Sequence, residues 1–121
     1  MSGLYDYAGA MQRMGNDEEL FLEMIHILRD DAPRRFGEIQ SGLSSGDLAQ
    51  VQRAAHSLKG LVANFGAERA QAAAARVEQL AKHGDPEAIP PSLAELKEAV
   101  QQLVAALEPR IGAARTTHTS T

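Results

Sequence analysis

Apolar residues recur along this chain at the three- and four-residue spacing of helices that face a shared core, and no stretch shows the alternation of a strand. The clearest run is Leu48, Val51, Ala55, Leu58, Val62 and Phe65, spaced 3, 4, 3, 4, 3. Such a run lines one side of a helix. A second stripe, Leu93, Leu96, Val100, Leu103 and Leu107, repeats the pattern near the C-terminus.

Start and stop signals divide the rest into helices. Leu4, Tyr7, Ala8, Met11 and Met14 predict a short first helix ended by Gly15. Asn16 is expected to cap a second helix, with Glu19 in the capping-box position. That helix carries Phe21, Met24, Ile25, Leu28, Phe36, Ile39 and Leu43. Pro33 interrupts it, so the stretch is either one long kinked helix or two helices broken at Asp31–Ala32. After a turn over residues 41–46, Asp47 caps the third helix with Gln50 reaching back, and Gly66 suits a left-handed end just past Phe65. A fourth helix is expected from about Ala67 to Lys82, with Ala70, Ala73, Ala74, Val77, Leu80 and Ala81 inward. The short link makes the third and fourth helices antiparallel neighbours. Residues 85–91 read as a loop, Ser92 and Glu95 as a capping box, and Pro109 as the end of the last helix. The expected fold is all-α: an antiparallel four-helix bundle with a short additional N-terminal helix. It occupies residues 1–111, and residues 112–121, polar and Thr-rich, form a disordered tail.

Candidate chemistry lies in the third helix. His56 is one residue past Ala55 and so stands about 100° from the apolar stripe, on its shoulder. Lys59 and Gly60 follow at three and four positions, on the same side. Ala49, Gln52, Gly60 and Ala63 make that shoulder a lane of mostly small side chains. A glycine inside a helix costs roughly 1 kcal/mol relative to alanine. Gly60 therefore admits either another molecule or a neighbouring helix at close range. Neutral imidazole is a competent nucleophile near neutral pH, and a cation one turn away suits a phosphoryl group in transfer. Lys59 fits that role, or that of an ordinary surface lysine. Glu78 is one residue past Val77, as His56 is past Ala55, so both flank one seam. It can fix the imidazole tautomer, or be a solvated acid. Arg53 and Gln52, one turn before His56, face a docked partner or simply solvent.

Composition narrows the classes. At 121 residues and 44% hydrophobic the chain makes one domain, and with 4% aromatics its core is aliphatic. A net charge of −4 with no basic cluster argues against nucleic acid and anionic membrane. No cysteine is present for disulfides or thiolate metal sites. There is no apolar run of about 18 residues and no signal-like N-terminus, so a cytoplasmic location is expected. No Gly-rich phosphate loop and no carboxylate cluster for magnesium is apparent. His26 lacks a following Lys-Gly pair, His83 sits in the last turn of a helix, and His118 lies in the tail.

Ala55-His56-Ser57-Leu58-Lys59-Gly60, followed by Asn64-Phe65-Gly66-Ala67 and Val77-Glu78, resembles the histidine-containing phosphotransfer (HPt) domain of multistep phosphorelays. Met14-Gly15-Asn16-Asp17-Glu18-Glu19-Leu20 and Ser45-Gly46-Asp47 extend the likeness, which covers roughly residues 4–107. Asn16 stands where that family often has a second glycine, and Leu61 where it often has a small residue. The resemblance implies that His56 accepts a phosphoryl group from the aspartyl phosphate of a response-regulator receiver domain and passes it to another receiver. It implies Lys59 as the charge beside that group and Glu78 as a residue that orients the imidazole. Gly60, Gln52, Arg53, Ala49 and Ala63 would meet the partner. The expected partners are receiver domains and an upstream hybrid sensor kinase, with the chain a monomer and a carrier rather than an enzyme. Magnesium is expected on the receiver and no cofactor on this chain. The rival reading is a non-catalytic helical interaction module docking through the His56 face.

Overall fold

The computed structural model describes the backbone of residues 4–119 and the side chains of residues 4–112. Five helices follow in order: α1 (Tyr7–Arg13), α2 (Glu18–Ser45), α3 (Leu48–Ala63), α4 (Glu68–Lys82) and α5 (Ile89–Thr119), the last preceded by one 3-10 turn at Pro86–Ala88. The four long helices close a ring of contacts, α2 on α3, α3 on α4, α4 on α5 and α5 back on α2. This is the all-α bundle with an extra N-terminal helix that the periodicity predicts. Among the described residues no helix is long and apolar enough to cross a membrane.

Short turns fix the order of the bundle. Gly46 takes φ +76° and closes α2, while the Asp47 carboxylate accepts from the Gln50 amide at 3.1 Å to open α3. Gly66, at φ +63°, turns the chain from α3 into α4. Burial follows the stripes: Val51, Ala55, Leu58 and Val62 of α3, with Phe65 just beyond its end, share one core with Ala70, Ala74, Val77 and Ala81 of α4, all 5% exposed or less. Alanine on both faces brings these two helices close, and each pair of methyl-lined surfaces removes apolar area from water.

Several local expectations are corrected. Asp17, not Asn16, caps α2, accepting from the Leu20 amide at 3.1 Å; Asn16 instead adopts φ +61°, a left-handed conformation that asparagine tolerates better than most residues. Gln50 does not close a capping box, because its side chain reaches the Glu38 carbonyl on α2 at 2.9 Å. Pro33 lies within one continuous α2, so the two-helix alternative fails. Pro90 and Pro91 open α5, where a missing N–H has no cost, so the expected Ser92–Glu95 capping box lies inside a helix; Glu95 pairs with Arg69 at 3.0 Å instead. Pro109 does not end α5, which runs on to Thr119 across most of the expected tail. Packing overrides the proline: Leu107 and Ile111 on either side of it are buried. The remaining tail residues 120 and 121 lie outside the described residues.

Candidate functional site

The site is built where α3 and α4 lie side by side. Ala55 and Val77 are fully buried in the seam, and the next residue on each helix, His56 and Glu78, emerges beside it. His56 Nδ1 stands 2.9 Å from Glu78 Oε2, with the histidine side chain 67% exposed and the carboxylate only 12%. Lys59, one turn on, places its ammonium 2.8 Å from the other oxygen, Glu78 Oε1, which is shut off from solvent. One carboxylate therefore holds both the histidine and the lysine.

The charges follow from these contacts. The Lys59 ammonium, and after it the bond from His56, hold the Glu78 carboxyl below the usual glutamate range, although burial pushes the other way. An ionised carboxylate only accepts hydrogen bonds. The proton between the two groups is thus carried on Nδ1, and the lone pair of the ring is on Nε2. Nε2 makes no hydrogen bond within the described residues and belongs to an exposed side chain. The result is an exposed imidazole whose orientation and tautomer are set from behind by Glu78.

Gly60 distinguishes the two readings the sequence leaves open. A Cβ placed there would have no atom within 4 Å, so no neighbouring helix requires the glycine. The lane around it is continuous along α3: Ala49, Arg53 and Gly60 are exposed, and Gln52 and Ala63 half-buried. Gly42 is the contrasting case. A Cβ there would come within 2.8 Å of the Asp47 carbonyl and of Val51, so it is this glycine that permits close helix packing. The sequence reads residues 41–46 as a turn, whereas α2 runs through them to Ser45, so the crowding at Gly42 is visible only in the structure.

Lys59 lies where its spacing from His56 puts it, with a contact that the spacing does not show. It stands beside the histidine, yet its charge is already engaged by Glu78. Among the described side chains, His26 and His83 lack this constellation. His83 Nδ1 bonds the Gln79 carbonyl at 2.8 Å, and His26 Nδ1 lies 3.4 Å from Arg29. The His118 side chain is outside the described residues.

Sequence reasoning also missed what secures the end of α3. Arg13 of α1 donates to the Asn64 carbonyl at 3.3 Å and the Ala63 carbonyl at 3.5 Å, and the Asp6 amide donates to the Phe65 carbonyl at 2.7 Å. The arginine and its acceptors are 50 and 51 positions apart in sequence, too far for any local pattern to relate them.

The family model for the Hpt domain matches residues 23–106, leaving out α1, the start of α2 and the end of α5. The fold is similar to the HPT domain from an Hpt sensor hybrid histidine kinase of Shewanella, with a TM-score of 0.78 at 21% identity over 92% of this chain and 96% of that one. It is also similar to a histidine-containing phosphotransfer protein from maize, with a TM-score of 0.79 at 19% identity over 97% of this chain and 86% of that one. At these identities the likeness is one of fold. No curated protein matches the chain.

Proposed function

The chain belongs to the Hpt domain family, and on that premise we propose that it is a phosphorelay intermediate whose phosphoryl-accepting residue is His56. The observation that carries this reading is the ring itself. Glu78 occupies Nδ1, and Nε2 is left with its lone pair on an exposed face beside a glycine that no internal packing needs.

The first step is an in-line displacement. Nε2 attacks the phosphorus of a receiver's aspartyl phosphate, a P–N bond forms, and the P–O bond to the aspartate breaks with its electron pair leaving on the carboxylate. The Nδ1 proton stays in place, so the ring becomes cationic, and the Glu78 carboxylate stabilises that charge. The second step reverses the first on another receiver: its aspartate oxygen attacks phosphorus and the neutral imidazole leaves. Negative charge on the moving group is met by Lys59, which exchanges part of its contact with Glu78 for the phosphoryl oxygens, and by the magnesium-bearing acidic pocket that the receiver brings. The exposed lane from Ala49 to Ala63, with Gln52, Arg53 and Gly60, is the docking face. Acting in the cytoplasm downstream of a hybrid sensor kinase, the chain carries the group and has no ATP chemistry of its own.

The test is incubation with a phosphorylated receiver, followed by mass spectrometry under alkaline conditions that preserve phosphohistidine. Modification of His56 supports the carrier. A chain that binds the receiver and remains unmodified would be a docking module only.

A further inference from the structure

Among the contacts that hold the N-terminal helix is a side chain from α5. Arg110 of α5 lies over the Tyr7 ring, its guanidinium carbon 3.6 Å from the centroid. Its Nε donates to the Tyr5 hydroxyl at 3.1 Å. Tyr7 is held at its other end, where its hydroxyl donates to Glu18 at 2.6 Å, and its ring packs edge-on against Phe21 at 5.2 Å. Tyr5 and Tyr7 flank Asp6, and Asp6 is the residue that touches the end of the histidine-bearing helix. Its amide bonds the Phe65 carbonyl, and its Cβ would stand 2.9 Å from any Cβ at Gly66. At the far end of α1, Arg13 takes the Ala63 and Asn64 carbonyls. Last-turn carbonyls lack partners within their own helix; that of Ala63 also accepts from the Gly66 amide at 3.0 Å.

Helix α1 cannot hold this position by itself. It has seven residues, of which Ala10 alone is buried. It joins α2 through Gly15 and Asn16, both at positive φ. A helix so short is unstable in isolation, so its contacts decide where it sits. Tyr5, Tyr7, Glu18 and Arg110 all lie outside the residues matched by the family model.

We propose that Arg110 is a positioning residue for receiver docking. By gripping Tyr5 and Tyr7 it seats Asp6 and α1 on the α3–α4 turn, and so fixes the end of α3 that presents Gly60 and Ala63. The inference rests on the reading that receivers dock along the His56 lane. Loss of the grip frees α1, loosens the turn over residues 64–67 and blurs the far end of that lane. His56, Glu78 and Lys59 lie nearer the middle of the α3–α4 pair and keep their mutual contacts. Docking is then impaired while the nucleophile is not.

The experiment uses the full chain as parent, Arg110→Gln, Arg110→Lys and Tyr5→Phe, with two phosphoryl donors. One is a phosphorylated receiver that labels the parent. The other is phosphoramidate, a small donor that needs no docking face and loses ammonia as its P–N bond breaks. In Arg110→Gln the receiver concentration for half-maximal transfer should rise about fivefold, the scale of one lost cation–π contact. The maximal rate and the phosphoramidate labelling should match the parent. Amide exchange should speed up across residues 6–13 and 60–67. Arg110→Lys keeps the charge without the flat stack and should recover part of the loss. Tyr5→Phe removes a single hydroxyl and should shift half-saturation and exchange the same way by less; it decides the matter if Arg110→Gln does not fold. Unchanged exchange in α1, or opened α1 with unchanged receiver kinetics, overturns the proposal. A parent that takes phosphate from phosphoramidate but from no receiver would sink the carrier reading instead, and the exchange measurements would still report whether Arg110 holds α1.

Discussion

His56 and Glu78 meet across the α3–α4 seam, Nδ1 to Oε2 at 2.9 Å, each one residue beyond a fully buried partner on its own helix. The shared offset explains why the carboxylate is nearly buried and the imidazole exposed. Glu78 lies back against the helix pair, and His56 stands out from it.

His56→Gln should abolish phosphoryl uptake and leave the helical circular dichroism unchanged, because the exposed ring contributes nothing to the core. Uptake that persists in this variant, or that is lost on changing His26 or His83, would assign the chemistry elsewhere.

Glu78→Ala removes a hydrogen bond to a charged acceptor, worth about 1.5–3 kcal/mol where it is fully expressed. If most of that is felt in the transition state, transfer slows by roughly ten- to hundredfold. Receiver binding should hold, since Glu78 lies behind the ring. Stopped-flow transfer rates together with a receiver titration separate the two effects.

The same residue gives a pH signature. Its carboxyl is held below the ordinary 4.5, by Lys59 first and His56 second. A depressed carboxylate stabilises the fold above its unfolded value, and that contribution is lost as pH falls through the folded value. The stability difference between the parent and Glu78→Gln should therefore be constant near neutrality and shrink once the pH drops below 4.5. Urea melts at a series of pH values measure it, and a difference that grows in acid would contradict the assignment.

The two glycines should respond in opposite directions. Gly60→Ala meets no atom within 4 Å and should gain up to about 1 kcal/mol of helix propensity. Gly42→Ala would press on the Asp47 carbonyl and Val51; an overpacking cost of about 1–3 kcal/mol exceeds that gain. Gly60→Gln should fold like the parent and lose receiver affinity. Thermal melts and binding titrations on the three variants test this, and equal affinity in Gly60→Gln would remove Gly60 from the docking face.

Much of this was legible in the sequence. The α3 stripe and its shoulder located His56, and the matching offset of Val77 and Glu78 put a carboxylate on the same seam before any distance was known. What stayed hidden was nonlocal. Whether Glu78 reached His56, Lys59 or both depended on the separation of two helices. The openness of Gly60 and the crowding of Gly42 depended on what lay opposite each. Pro109 shows the same limit: helix-breaking is a local tendency, and the buried Leu107 and Ile111 overcome it. The Arg110 grip joins residues 105 apart, beyond any spacing rule.

Radiolabel transfer tests the central claim most directly. The purified chain is incubated with labelled ATP and magnesium, alone and then with a receiver and the receiver's kinase. No label should enter the chain in the first case. In the second, acid-labile and alkali-stable label should appear on His56 and vanish in His56→Gln. Label from ATP alone would reveal a kinase site in this chain, and a chain left unlabelled beside a fully phosphorylated receiver that it binds would show that the exposed imidazole is not a phosphoryl carrier.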